Sequence, residues 1–312
     1  MAKLPYVPRT ILCKSLNSNR SSGYYHPTKL ATDKPWLEQI ISILKDNPSY
    51  GIKRIRLAFK LQGVNMAESK IRRICRSNNL FVKSRKAKPP IRDKGLIPSQ
   101  VPNLVKDLYD QETGQSLIRQ PDQVWAGDFS YFSVQGSWYY LATVLDVFTK
   151  EILGFSLSQA HDTKLITRAL NMALNQDGTD KLNFKPKGNL NLKPKGKRRP
   201  RIFHSDQGSE YASKEYQNLL ANLNIQQSHS DKASPWQNGC QESFYGKFKN
   251  ELDLRQLASC RSYMEVFNLL AGHMEYYNHR RIHTTIENIP SQFYAQFLTL
   301  SGENNLSRKL GG

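Results

Sequence analysis

Three carboxylates draw attention by what surrounds them. Asp128 interrupts the strand-like run "VWAGDFSYF", whose neighbours are mostly apolar. An ionisable group inside a buried strand is costly unless it is paired or binds a cation. Asp206 ends the short run "PRIFHSD" and precedes a glycine turn, which places it at the C-terminal edge of a strand, where α/β sheets keep their ligand sites. Glu242 lies early in "SPWQNGCQESFYGKFKNEL", turn residues followed by a helical run. At about 100° per residue, Gly246, Lys249 and Asp253 fall within roughly 40° of Glu242 on that helix, while Phe244, Tyr245, Phe248 and Leu252 point to the other side. The aromatic side buries; Glu242 and Lys249 face outward together, and Gly246 leaves room between them. Asp253 is three turns on, too far to share a metal with Glu242. Taken singly, Glu242 also reads as a solvated glutamate beside an ordinary surface lysine.

Together, two aspartates and a glutamate have the composition to hold two Mg²⁺ ions about 3.5–4 Å apart. Mg²⁺ prefers carboxylate oxygen and keeps several waters. In such a site one ion activates a water or a 3′-hydroxyl, and the other stabilises the leaving oxygen of a phosphodiester.

The rest of the chain supports a polyanionic partner. The formal net charge is +19 over 312 residues, which points first to nucleic acid. No run of about 18 apolar residues offers a membrane span, no basic amphipathic membrane helix is visible, and the N-terminus lacks the apolar stretch of a signal peptide. A cytoplasmic, nucleoid-associated protein is expected. Cys13, Cys75, Cys240 and Cys260 are far apart without a CxxC pair, so reduced thiols are expected rather than a zinc site or a disulfide scaffold. His279 and His283 mimic a zinc pair at i, i+4 but lack a nearby third ligand. Arg280, Arg281 and His283 read instead as phosphate contacts or a helix cap.

The elements that must position these groups follow from patterning. Residues 52–94 hold fourteen Lys or Arg against Glu68 and Asp93. Three short helices are expected over residues 34–80: one burying Trp36, Ile40, Ile41 and Leu44 and stopping at Asn47-Pro48, one burying Ile52, Ile55, Ala58 and Phe59, and one burying Ile71, Ile74 and Cys75. The third presents Lys70, Arg72, Arg73 and Arg76 outward, the helix-turn-helix pattern of a DNA-binding unit; a basic bundle that touches only phosphates fits equally well. "KSRKAKPPIRDKGLIPSQ" has linker composition. From residue 122 the order is strand, strand, strand, helix, strand, helix, strand, helix, with a hairpin at Gln135-Gly136. This predicts an α/β core with a mixed sheet flanked by helices. Asp146, after the second strand, reads as a turn aspartate, and His204 as structural. The basic, Lys-Pro-Lys-Gly-containing insertion 177–200 reads as either a spacer or a DNA-contacting arm.

Domain boundaries are therefore drawn as an N-terminal extension (1–32), a helix-turn-helix-like domain (33–82), a basic linker (83–118), a core (119–297) interrupted by the insertion, and a C-terminal tail (298–312).

"VWAGDFSYF", "FHSDQGSEYAS", "SPWQNGCQESFYGKFKNEL" and "YYNHRRIHTTIENIPSQF" resemble the catalytic core of retroviral-type integrases and bacterial transposases, above all the OrfB-type transposases of insertion sequence family three. "NPSYGIKRIRLAF" resembles the helical domain ahead of that core. Thirty-five residues separate Asp206 from Glu242, the spacing of that family. The resemblance implies an RNase H-like fold with a five-stranded mixed sheet. It implies Asp128, Asp206 and Glu242 as catalytic residues and ligands of two Mg²⁺ ions, with Mn²⁺ as a substitute. Lys249 matches the basic residue that contacts the DNA end; Lys247 is expected to bind DNA beside it. The implied activity is nicking at element ends followed by transfer of the 3′-hydroxyl into target DNA. The implied partners are double-stranded DNA, both terminal repeats and target, a second copy of the chain on that DNA, and the upstream reading-frame product as partner or frameshift fusion. Two other readings stay open: a repurposed DNA-binding protein without activity, and a nuclease of the same fold.

Overall fold

The structure, a computed structural model, describes residues 11, 14–15, 29–80, 101–110, 112–113, 115–174, 198–231, 235–252 and 254–310. The basic stretch 81–100, residues 175–197 of the insertion and Asp253 lie outside the described residues.

Three helices precede the sheet: α1 (Lys29–Asp46), α2 (Ile52–Leu61) and α3 (Glu68–Ser77). Helix α1 begins earlier than its apolar spacing suggests and carries Pro35 within it. Ile40 is buried, but Ile41 is 47% exposed, because consecutive residues diverge by about 100° around a helix and only one can face inward. Ile55 and Phe59 of α2, and Ile71, Ile74 and Cys75 of α3, are buried as expected. Leu57, not expected in the core, is buried too. Helix α3 is tied to α1 by the Arg73–Asp33 ion pair and by the Lys70 ammonium, 4.7 Å from the Trp36 ring centroid.

The second unit is built on five strands: β1 (Val124–Val134), β2 (Ser137–Asp146), β3 (Ile152–Ser158), β4 (Ile202–Ser205) and β5 (Gln226–His229), in the order β3-β2-β1-β4-β5. Strands β1, β2 and β3 are antiparallel neighbours, and β4 and β5 add in parallel. The β1–β2 turn places Gln135 and Gly136 at positive φ, the requirement of a two-residue hairpin whose twist matches its strands. Parallel strands need crossovers, supplied by α4 (Thr163–Ala173) and α5 (Lys214–Asn222). Asp162 and Ser213 cap these two helices. Gly154 allows α4 to approach β3; a Cβ there would meet the Ala169 carbonyl oxygen and the Ala173 nitrogen. The fold is α/β and RNase H-like, a mixed five-stranded sheet with helices on both faces.

One face carries α4 and α5, whose Leu165, Leu170 and Tyr216 pack over Trp125 and Phe203. The other carries α6 (Gly239–Glu251), α7 (Leu254–Ser259) and α8 (Tyr263–His279), whose Phe244, Phe248, Leu270 and Tyr277 pack over Leu141, Leu157 and Phe155. The core reaches upstream of residue 119, since Val105 and Ile118 are buried with Val124, Ala126 and Ile202; apolar side chains at 105 and 118 draw part of the stretch read as linker into the core. Likewise α9 (Pro290–Leu310) runs across residue 298 without a break.

Candidate active site

Parallel pairing of β1 with β4 brings the two aspartates together. The last pair in that ladder is Ala126 with His204. Each chain then advances two residues to a carboxylate, Asp128 on β1 and Asp206 just past β4. Asp128 is half-buried, and its Oδ1 accepts the Phe129 N–H at 2.8 Å. Asp206 accepts the Gly208 N–H at 3.0 Å, which closes the turn that carries it.

Helix α6 brings the third carboxylate. Its aromatic side is buried as expected, and Glu242, Gly246 and Lys249 are exposed. Three side chains on the inner face, spaced at i, i+3 and i+7, fasten it to the backbone around Asp128. The Asn238 amide donates to the Gly127 carbonyl at 3.2 Å. Gln241, fully buried, donates to the carbonyls of Ala126 at 2.6 Å and Thr143 at 3.2 Å. The Tyr245 hydroxyl lies 3.1 Å from the Asp128 carbonyl oxygen and 2.9 Å from that of Leu141. The Thr143 hydroxyl lies 3.0 Å from both Gln241 Oε1 and the Tyr245 hydroxyl. Asn238 holds the N-cap position of α6 and makes no cap bond; its amide nitrogen donates to β1 instead. Tyr245 was expected only as part of the buried aromatic side, and Asn238 and Gln241 were not singled out in the sequence; the signal was polar groups on the aromatic, buried side of α6.

The electrostatics couple these groups. Burial, then the charges of Asp206 and Glu242, push the Asp128 carboxyl up to about 8, while the Phe129 N–H and the Lys249 ammonium pull it down. Burial raises Asp206 as well, aided by Glu210 and opposed by the Gly208 N–H. Carboxylates that repel one another in a half-buried site, with hard oxygen donors and one nearby ammonium, fit a divalent cation, which would relieve that repulsion. Among the described residues, no group of three or more His, Cys, Asp or Glu side chains stands at the spacing of a metal cage.

The other expected site residues divide. Arg72 and Arg76 are exposed on α3. Arg73 is exposed but engaged by Asp33, and Lys70 is half-buried over Trp36. Lys247 is half-buried and bonds Ser243 at 2.9 Å. Arg280 is exposed, its guanidinium 5.6 Å from the Tyr276 centroid. Arg281 departs from the expected phosphate contact. It is 1% exposed and grips both Glu251 oxygens at 2.7 and 2.8 Å, because a guanidinium matches a carboxylate with two parallel bonds. Asp146 is more than a turn aspartate: fully buried, it accepts the N–H groups of Asp122, Phe148 and Thr149. It shares Arg198 with Asp122 and Glu151 at 2.7–2.9 Å, and Tyr294 of α9 lies 4.2 Å from that guanidinium. Arg198, counted with the basic insertion, is thus spent on the sheet end opposite Asp128 and Asp206. His204 is structural, its Nδ1 2.9 Å from the Ser228 hydroxyl and its pKa lowered by burial to about 4.

Comparison with known proteins gives the following likenesses. Integrase core domain profiles match residues 118–235 and 223–290, and an HTH-like domain profile matches residues 32–88. The chain is 26% identical over 265 residues to the transposase for insertion sequence element IS904 of Lactococcus lactis, covering 84% of this chain and 94% of that one. It is 27% identical over 252 residues to the transposase InsF for insertion sequence IS3A of Escherichia coli, covering 77% of each. The HTLV-2 integrase catalytic core domain in complex with magnesium is similar at 18% identity and a TM-score of 0.41, covering 56% of this chain and 97% of that one. Integrase core profiles together span residues 118–290, so the chain belongs to the integrase core family; the curated relatives it resembles are transposases of insertion sequence family three.

Proposed function

We propose that this chain cuts DNA at the ends of an insertion element and joins the freed 3′-hydroxyl to a target strand. The observation that carries the reading is the meeting of Asp128, Asp206 and Glu242 in one field with Lys249, from three separate elements. Asp128, Asp206 and Glu242 would hold a pair of Mg²⁺ or Mn²⁺ ions. When bound, the two cations lower the cost of charge on the attacking and leaving oxygens of the phosphodiester. Lys249, exposed on the same helix face as Glu242, binds a phosphate of the element end. In the first step a water oxygen attacks phosphorus and the 3′-oxygen leaves as a hydroxyl. In the second, that hydroxyl attacks a target phosphodiester and releases a new 3′-hydroxyl. One bond forms as one breaks, so no external energy source is needed.

In this reading residues 33–82 bind DNA through Arg72 and Arg76, and residues 119–297 perform the chemistry. Two copies act together because two ends must be processed, with the upstream reading-frame product as partner or fusion. The protein works in the cytoplasm, on the nucleoid; among the described residues no helix is long and apolar enough to cross a membrane.

The test is cleavage and joining of labelled element-end DNA with Mg²⁺ or Mn²⁺, comparing the wild-type chain with Glu242→Gln. Metal-dependent products in wild type that fall at least ~100-fold in the variant support the reading. DNA binding without cutting by either protein, with the upstream frame supplied, would replace it with a DNA-binding role. Nicks without joined product would leave a nuclease.

A further inference from the structure

The β1–β2 hairpin is asymmetric. On one face Phe132, Val134 and Tyr139 pack into the core beside Tyr263 of α8. On the other, Tyr131 is 58% exposed and Trp138 54% exposed. The register explains why they share that face: Tyr131 pairs with Tyr140, and Ser133 with Trp138, and side chains alternate with a period of two. The Tyr131 and Trp138 rings meet edge-on at 5.6 Å, and Tyr140 lies 6.4 Å from Tyr131.

Through His161 this strip reaches the loop that carries Asp206. His161 stacks on Tyr140 at 5.1 Å, packs against Phe129 at 4.5 Å, and pairs with Glu210 at 3.2 Å. Glu210 belongs to the loop that begins at Asp206, and Phe129 follows Asp128 directly. Tyr131 lies three residues beyond Asp128, about 10 Å along the strand and, with a period of two, on the opposite face of the sheet; β4 pairs with β1 only as far as Ala126, so a strand held at Asp128 reaches the ring by crossing the β1 edge beyond that pair.

We propose that Tyr131 and Trp138, backed by Tyr140 and His161, form a stacking platform for unpaired bases of the DNA strand being cut or joined. The proposal rests on the reading above that DNA is held at Asp128. The chemistry favours bases over a protein surface. The exposed groups are aromatic rings, each more than half exposed, bordered by exposed Ser133 and Ser137, and the chain as a whole carries +19. Two half-exposed rings offer about 200 Å², well short of the roughly 1,200 Å² that a stable protein interface buries. Aromatic rings are the usual stacking partners of single-stranded bases and carry no sequence preference.

The experiment uses the full chain in metal-free buffer, so that no cutting occurs. Wild type, Tyr131→Ala/Trp138→Ala and Tyr131→Phe/Trp138→Phe are titrated with single-stranded oligothymidine and with a duplex of equal length. We expect the alanine pair to weaken single-strand binding about tenfold or more and to leave duplex binding within about twofold, with the phenylalanine pair near wild type. Tryptophan emission should fall on adding oligothymidine to wild type, and fall less in Trp138→Phe alone. Both positions are exposed, so the variants should fold; thermal melts matching wild type verify this. Equal single-strand affinity in the alanine pair, or no single-strand binding by wild type, overturns the platform. A loss of self-association in the alanine pair on sedimentation, with oligothymidine binding unchanged, overturns it in favour of a contact between copies. Metal-dependent cleavage by the wild-type chain, measured separately, tells failure of the platform from failure of the transposase reading.

Discussion

The Asp128 carboxyl is raised to about 8, against about 3.9 in an unfolded chain. Between those values the folded chain holds more of this proton than the unfolded chain does. Stability from this group is therefore full in acid, falls as pH rises across the window, and levels off above about 8. Asp128→Asn removes that dependence. In metal-free buffer the variant should be the more stable at pH 8, by on the order of 2 kcal/mol, and should match wild type near pH 4 in thermal melts. Mg²⁺ should raise the melting temperature of wild type at pH 8 and not that of Asp128→Asn. Superimposed melting curves at pH 8 without metal would show that the carboxylates do not repel as described. Arg281 makes a different prediction. Removing one partner of a buried pair strands the other charge, so Arg281→Ala should cost about 3–5 kcal/mol in denaturant unfolding. A stable variant with weakened DNA binding would return Arg281 to the surface role suggested by its sequence neighbours.

At the scale of the element, α6 is both a core helix and a carrier of the site. Its Phe244 and Phe248 bury as any amphipathic helix would, but burial alone leaves its height over β1 undetermined. Asn238, Gln241 and Tyr245 set that height, since hydrogen bonds are directional where apolar contacts are not. Gln241→Leu keeps the volume and removes the bonds to Ala126 and Thr143. It should cost about 2 kcal/mol of stability, the penalty for buried carbonyls left unpaired. Single-turnover cleavage should slow about tenfold or more while DNA affinity stays within about twofold, the split expected when only reacting geometry is lost. A parallel fall in affinity and rate would mean that Gln241 supports the fold without setting Glu242.

At the scale of the whole molecule, charge and fold are arranged separately. Positive residues gather on α3 and in the insertion, whereas the sheet interior holds the acids. Phosphate contacts release counterions, so the logarithm of affinity should fall linearly with the logarithm of salt, by about 0.9 per phosphate neutralised. Arg72→Gln/Arg76→Gln should flatten that slope by up to about two units. An unchanged slope would remove α3 from the DNA interface. Arg198 shows that basic composition alone misleads: it lies in a basic run, yet three buried or half-buried carboxylates and Tyr294 claim it.

Much of the architecture was legible in the chain itself. Alternation marked β1, a nearly apolar run marked β2, helical spacing marked α1 to α4 and α6, and the Gln135-Gly136 turn marked the hairpin, because these signals are local and repeat with the backbone's own periods. The three carboxylates were legible as well: Asp128 as a charge in an apolar strand, Asp206 at a strand end, Glu242 opposite an aromatic face. The partners of polar groups were not. Nothing near Arg281 in sequence names Glu251, nothing near Arg198 names Asp122, Asp146 and Glu151, and the bonds from α6 to Ala126, Gly127 and Asp128 span more than a hundred residues. Periodicity reports which way a side chain faces. Only the packed sheet decides what it finds there, since those contacts depend on crossovers and register that no local pattern encodes.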